Sequence, residues 1–376
     1  MSRRGLPSVL FCAAAALCAC DTTTTPSSDE VPGARDNLPP RSAAAAGLPA
    51  NSLWSALPHR DIPQGALPFE GLDRAPEDPP VEAGAETTPM AIDIPLVAPT
   101  VSAIKVTEIG AEPRQSLKFV RTVGASSSFE LTLAMDATMA VDGNQVAPPG
   151  IPPMRFSATE RAVSTDGGQL KSELTLQSFD IAEEGQDEAM MRMTMAAMVG
   201  IDRHTLSETR DVHGKTSSSS LHVPAGVSPQ AIETFRGFLD AIQRTRVVLP
   251  KAPVGIGARW TVEQTTEDSG MMINQTAVYT LVDRRDDLLV LSLEVTGEPA
   301  VRTLRPEGAP AGLELNIEEL SADAHGTLEI DLNHLTVRKA SLAARFAVQM
   351  DVKQAGRPTQ KMQSAMNTRL ELSSKP

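Results

Sequence analysis

From about Val101 onward, apolar and polar residues alternate along most of the chain. Alternation puts every second side chain on one face, so it marks strands with one buried side. Phe129-Glu130-Leu131-Thr132-Leu133-Ala134-Met135 keeps this period, as do residues 170–176 and 327–332. The stretches 258–266, 275–283, 288–296, 335–352 and 360–372 read the same way. Asp142-Gly143-Asn144 and Asp166-Gly167-Gly168 break such runs with the glycines that tight hairpins need, because glycine takes a positive φ at no steric cost.

One segment changes period. Ser228-Pro229 offers an N-cap followed by proline at the first helical position. Ile232, Phe235, Leu239 and Ile242 then recur on one face, and Arg244 and Arg246 suit the negative end of the helix dipole. The spacing predicts a single helix over 228–246. A second segment, AMMRMTMAAMV at 189–199, fits either period. Met191, Met193 and Met195 alternate as a strand leading into a hairpin with 203–212 would.

These elements predict a mainly β fold of the β-rich α+β class. Two layouts satisfy them: one large antiparallel curved sheet, or two related β halves (101–227 and 247–376), with the one long helix packed against the sheet or joining the halves. GIDRHTLSETRD at 200–211 and EIDLNHLTVRKA at 329–340 both read as strand, polar turn, strand, the trace that a duplication would leave.

Upstream of residue 101 the texture differs. Fourteen of the 29 prolines lie between Pro26 and Pro99, and no period persists. Residues 20–100 are therefore expected to form an unfolded, partly extended tether with an end-to-end distance of roughly 50 Å. Before it, Arg3 and Arg4 precede an apolar run over 6–19. That run is too short for a membrane-spanning helix, which needs about 20 residues, and has the proportions of a signal peptide over 1–19.

The run ends in Leu17-Cys18-Ala19-Cys20, which resembles a bacterial lipobox. The resemblance implies cleavage between Ala19 and Cys20, a diacylglyceryl thioether on Cys20, and often a further acyl chain such as palmitate on the new amino group. All three cysteines (Cys12, Cys18, Cys20) lie in this stretch, so the mature chain would carry no free thiol. Disulfides and cysteine-ligated metal sites are then excluded. Two or three acyl chains would hold the chain firmly, since each buried methylene contributes about 0.8 kcal/mol. The resemblance places the protein at the inner or outer membrane of a bacterial envelope, with its body in the periplasm or at the cell surface. Losing Arg3 and Arg4 takes the formal charge from −13 to −15, a balance that argues against nucleic acid and against docking on anionic lipid.

The most distinctive internal stretch is Leu249-Pro250-Lys251-Ala252-Pro253-Val254-Gly255-Ile256-Gly257-Ala258-Arg259-Trp260. A dinucleotide fingerprint would need a third glycine opening a helix. Here Trp260 stands in that place and begins a strand pattern, so Pro250, Pro253, Gly255 and Gly257 read as a structural turn with Trp260 as its packing anchor. "LPxxPVGxGxxW" resembles an uncharacterised family of bacterial lipoproteins with a lipobox, a Pro-rich tether and a β-rich body. That resemblance implies the architecture over about 101–376 and brings no activity or catalytic residue.

Chemistry is sparse. His204, His213 and His222 are nine residues apart, without the convergent spacing of a zinc site. There is no GxSxG or SxxK nucleophile motif. The expectation is a non-catalytic envelope lipoprotein without cofactor or metal, which binds an envelope protein or plays a structural part. The alternative is a carrier of a lipophilic ligand, held in a groove lined by Ile232, Phe235, Leu239, Ile242, Met191, Met193 and Met195, by analogy with lipoprotein-carrier half-barrels. An envelope hydrolase comes third.

Overall fold

The computed structural model describes residues 91–146, 152–182, 204–227, 229–268, 271–304 and 312–375, with isolated residues between 192 and 201. The strands are β1 (Ile92–Leu96), β2 (Thr100–Glu108), β3 (Ser126–Val141), β4 (Asn144–Val146), β5 (Met154–Asp166), β6 (Gln169–Ile181), β7 (Thr205–Asp211) and β8 (Thr216–Val223). After helix α1 (Pro229–Thr245) come β9 (Arg259–Asp268), β10 (Met271–Arg285), β11 (Leu288–Pro299), β12 (Thr303–Leu304), β13 (Glu314–Asp331), β14 (Lys339–Lys353) and β15 (Gln360–Lys375).

All of them belong to one antiparallel sheet, in the order β1-β8-β7-β6-β5-β3-β15-β14-β13-β11-β10-β9-β2, with β4 on β3 and β12 on β13. Of the two predicted layouts the single sheet is correct. The halves are continuous because β15 pairs with β3 from Met362↔Val141 to Lys375↔Ser128. The suspected repeat dissolves for a physical reason. Residues 205–211 form one unbroken strand, whereas 329–340 cover the end of β13, a turn and the start of β14. Two segments of similar texture thus occupy different structures.

The local chemistry behaves as the alternation requires. β5 reads buried at Met154, Phe156, Ala158 and Ala162, and β14 at Ala340, Leu342, Phe346, Val348, Met350 and Val352. Both predicted hairpin turns carry left-handed residues, Asp142 (φ 50°) with Gly143 (φ 80°) and Gly167 (φ 54°) with Gly168 (φ 80°). This is the geometry that matches the right-handed twist of the flanking strands.

The two ends of this sheet lie close together. β1 pairs antiparallel with β8, and β2 pairs antiparallel with β9, at the other end of the strand order. Only Val97, Ala98 and Pro99 separate β1 from β2. Extended chain advances about 3.5 Å per residue, so Leu96 and Thr100 are at most about 14 Å apart. The sheet must therefore curl until its edges are bridged by one segment running in one direction from β8 to β9. The ladder does not close into a barrel, since β1 and β2 are successive parts of that segment and β8 does not pair with β9. The expected end of the tether near residue 100 is accordingly moved: β1 lies within it and is part of the sheet. Pro95 is compatible with this because β1 has a neighbour on one side only, and an edge strand tolerates a missing donor.

Inside the curl, one continuous core takes side chains from both ends of the order, including Val223 of β8 and Val262 of β9. The predicted turn after the helix closes one end of it. Trp260 is fully buried, donates its indole N–H to the Val248 carbonyl at 3.0 Å, and stacks on Tyr279 with centroids 5.4 Å apart. Backbone crosses backbone at Gly255. Its N–H donates to the Ile109 carbonyl at 3.0 Å, and Ala111 N–H donates to the Ile256 carbonyl at 2.8 Å. A Cβ on Gly255 would stand 1.7 Å from the Ala111 carbonyl oxygen, whereas one on Gly257 (φ 82°) would meet nothing within 4 Å.

Gly255→Ala should therefore force the two backbones apart and cost about 3 kcal/mol, while Gly257→Ala costs about 1 kcal/mol from its left-handed φ alone. Urea denaturation midpoints of the two variants measure the difference, and equal losses would contradict the crossing.

Candidate functional site

Helix α1 fills much of the curled interior. Ala231, Phe235, Phe238, Leu239, Ala241 and Ile242 are all buried. The Phe238 ring lies 4.7 Å from Phe156 of β5, and the Phe235 ring lies 4.9 Å from His204 and 5.5 Å from Phe238. Burying a phenylalanine contributes roughly 2–3 kcal/mol, so this face alone commits the helix to the interior. Phe238 was not part of the predicted stripe, and the observed buried face is wider than a one-residue-per-turn reading suggests.

Past the last turn of α1 the packing opens into a cavity of about 80 Å³. Gln243, Arg244 and Arg246 stand on the helix side, and strands from β9 to β15 form the rest. Ala277, Ala322, Ala324 and Ala344 contribute only a methyl each to the wall, which leaves the space open. Gln264 donates to Gln275 at 3.4 Å within the lining, and burial pushes the Tyr279 hydroxyl pKa up, holding it protonated. The cavity has room for a few waters and is well below the 300–1,000 Å³ typical of small-molecule sites.

The residues expected to line a groove do not line this cavity. Phe235, Leu239 and Ile242 are core, and Ile232 packs against the core partly buried. Of the segment 189–199, which fitted either period, Arg192 and Met195 are helical among the described residues, and Met195 is 44% exposed. At these two positions helix propensity prevails over the strand-like alternation. Met191, Met193, Ala19 and Cys20 lie outside the described residues. The histidines do not converge. The His204 ring is buried with Nδ1 3.0 Å from the Ile201 carbonyl, while His222 is exposed with Nδ1 2.9 Å from Asp93 Oδ1. Among the described residues no three metal-ligating side chains come together.

A buried charge cluster lies beside the helix end, and sequence reasoning missed it. Glu160 of β5 accepts from Arg210 of β7 and from Arg246, whose Nη1 is 3.0 Å from Oε2. Arg246 Nη2 donates to Glu208 at 3.1 Å, and Ser172 of β6 donates to Glu160 at 2.8 Å while accepting from Arg210 at 3.0 Å. Glu160 is completely buried, with Glu208 and Arg210 nearly so. One signal was available. Glu160 shares its parity with Phe156 and Ala158, and Glu208 and Arg210 share theirs with Leu206, so opposite charges occupy core positions on strands of the same sheet. Arg246 does more than face the helix dipole: it ties the end of α1 to β5 and β7.

Burial alone would raise the Glu160 pKa, but Arg210, Arg246 and Arg121 together pull it down from 4.5 to about 2. Leaving either partner of such a pair alone in the core costs about 3–5 kcal/mol. Neither a family model nor a curated protein matches the chain.

Because the folded-state pKa is depressed, the contribution of Glu160 is complete above about pH 4.5 and is lost as the pH falls towards 2. Wild type should lose about 3 kcal/mol more than Glu160→Gln over that window, with the variant already less stable at pH 7. Urea titrations at pH 7, 4.5 and 2.5 measure this, and parallel acid limbs would refute the assignment.

Proposed function

We propose that the protein is a non-catalytic lipoprotein of the bacterial envelope. It is anchored through a diacylglyceryl group on Cys20, and its body binds an envelope partner through its outer surface. The observation that supports this best is the filled interior: α1 is packed inside the curled sheet, and the cavity at its end measures about 80 Å³. A body whose inside is occupied by its own helix has its exterior left for recognition. The lipobox-like Leu17-Cys18-Ala19-Cys20 supports the anchor, and the segment after it supports reach from the membrane.

A second reading, a carrier for a lipophilic molecule, draws support from the apolar part of the cavity wall, Leu293, Val295, Leu342 and Leu370. An acyl chain would need α1 to withdraw, because the present space is several-fold too small. The envelope hydrolase has less to recommend it: the strongly perturbed carboxylate, Glu160, is spent on arginines.

Expression of the full chain and of Cys20→Ala in a bacterial host tests the first reading. The full chain should fractionate with membranes and incorporate labelled palmitate, and the variant should do neither. Organic extraction of the purified full chain then separates the two readings. Only the covalent acyl groups are expected, and an additional stoichiometric lipid would overturn the filled-body reading in favour of the carrier.

A further inference from the structure

The buried charge cluster does not balance. Arg121, Arg210 and Arg246 bring three positive charges, and Glu160 and Glu208 bring two negative ones. Arg210 and Arg246 are engaged by the carboxylates, but Arg121 makes no ion pair among the described residues. Its guanidinium carbon sits 4.3 Å over the Phe119 ring, and its Nε and Nη1 are buried without a hydrogen-bond partner. One charge thus remains without a carboxylate partner, on a side chain that is partly exposed but turns two buried nitrogens inward. Burial and the like charge of Arg210 both depress the Arg121 pKa, as expected of such surplus.

The surplus faces a defined space. A cavity of about 10 Å³ lies among Arg121, Arg210, Arg246 and Thr336, with Phe119 and Val337 among its apolar walls. That is about what one water-sized particle occupies. The four polar side chains around it carry five buried donors without a hydrogen bond among the described residues: Nε and Nη1 of Arg121, Nε of Arg246, the Thr336 hydroxyl, and Nε of Arg210, which lies 3.9 Å from Glu208 Oε2. Arg210 is only 2% exposed. Neither Glu160 nor Glu208 lines the space.

A water is poorly suited to these donors, because it accepts about two hydrogen bonds and needs acceptors for its own two hydrogens. A monatomic anion accepts from all sides and donates nothing. We infer that this cavity is a binding site for a single halide ion, chloride in the natural setting, held by Arg121, Arg210, Arg246 and Thr336. One monovalent anion brings the cluster to zero net charge. The size of the space excludes phosphate and organic carboxylates. The site is independent of the proposed function, since it concerns the clasp between α1 and the sheet.

The test uses the full chain purified in detergent. Thermal unfolding is followed in sodium bromide against sodium gluconate at constant ionic strength, and crystals are soaked in bromide. Bromide should raise the Tm saturably by about 3 °C, with no matching rise in phosphate, and should give an anomalous peak within reach of Arg121 and Thr336. Arg121→Gln, which removes the surplus charge, should abolish both the increment and the peak. Should that variant fail to fold, Thr336→Val takes its place and should raise the bromide concentration at half-effect about tenfold. An ordered water without anomalous signal in the cavity overturns the proposal, as does a bromide increment unchanged in the variant that folds.

Discussion

The segment from β1 to β2 is held at both of its ends by different parts of the chain, and only three residues lie between. Its first part is bonded to β8 and its second part to β9, near opposite ends of the strand order, which an open sheet would place far apart. This constraint sets the rest of the structure. A fifteen-stranded sheet whose edges must come within about 14 Å has to curl. A curled sheet with one apolar face needs something inside it, because the space within cannot be left empty at native packing density. The connection from β8 to β9 supplies it. Helix α1 is the link between β8 and β9 and also the filling of the interior.

The charge cluster then follows from position. Where α1 ends, the chain must leave the interior and reach the start of β9, and Arg246 stands at that point. Its guanidinium reaches carboxylates on two strands, so the helix end is fixed by directional bonds where apolar packing is about to give way to the cavity. Buried ion pairs add little net stability compared with apolar packing of the same volume. What they offer is a penalty for every arrangement that leaves one partner alone. The helix is thereby fixed in position along its axis, which phenylalanine packing alone would specify less strictly.

Much of this was legible in the sequence, because the signals involved are local. Two-residue alternation located the strands, and Asp-Gly and Gly-Gly placed the turns. The proline at 229 with four apolar residues in step gave the helix almost to its ends. The order of strands was not legible, since which strand lies beside which is decided by pairings between distant residues. β1 was concealed by Pro95 and by the prolines flanking it, Pro89 and Pro99, which read as tether until an edge position made Pro95 harmless. The cluster was concealed by habit: glutamate and arginine in a polar run are taken as solvated, and only their parity with Phe156 and Leu206 sets them apart. The cavity had no signature, because alanines in a strand mark a gap only when their neighbours across the ladder are known.

The pairing of β15 with β3 has a consequence for how the chain reaches this state. The contact joins Met362 to Val141, so the middle of the sheet is assembled from segments distant along the chain. Until β15 inserts, β3 and β14 both present long unpaired edges, and such edges pair readily with other chains. Contacts of this range also form slowly, because the loop between them must be closed first. A nascent copy is therefore most exposed to mispairing in the interval between synthesis of β14 and docking of β15, and in that interval the centre of the molecule, not its rim, is the vulnerable part.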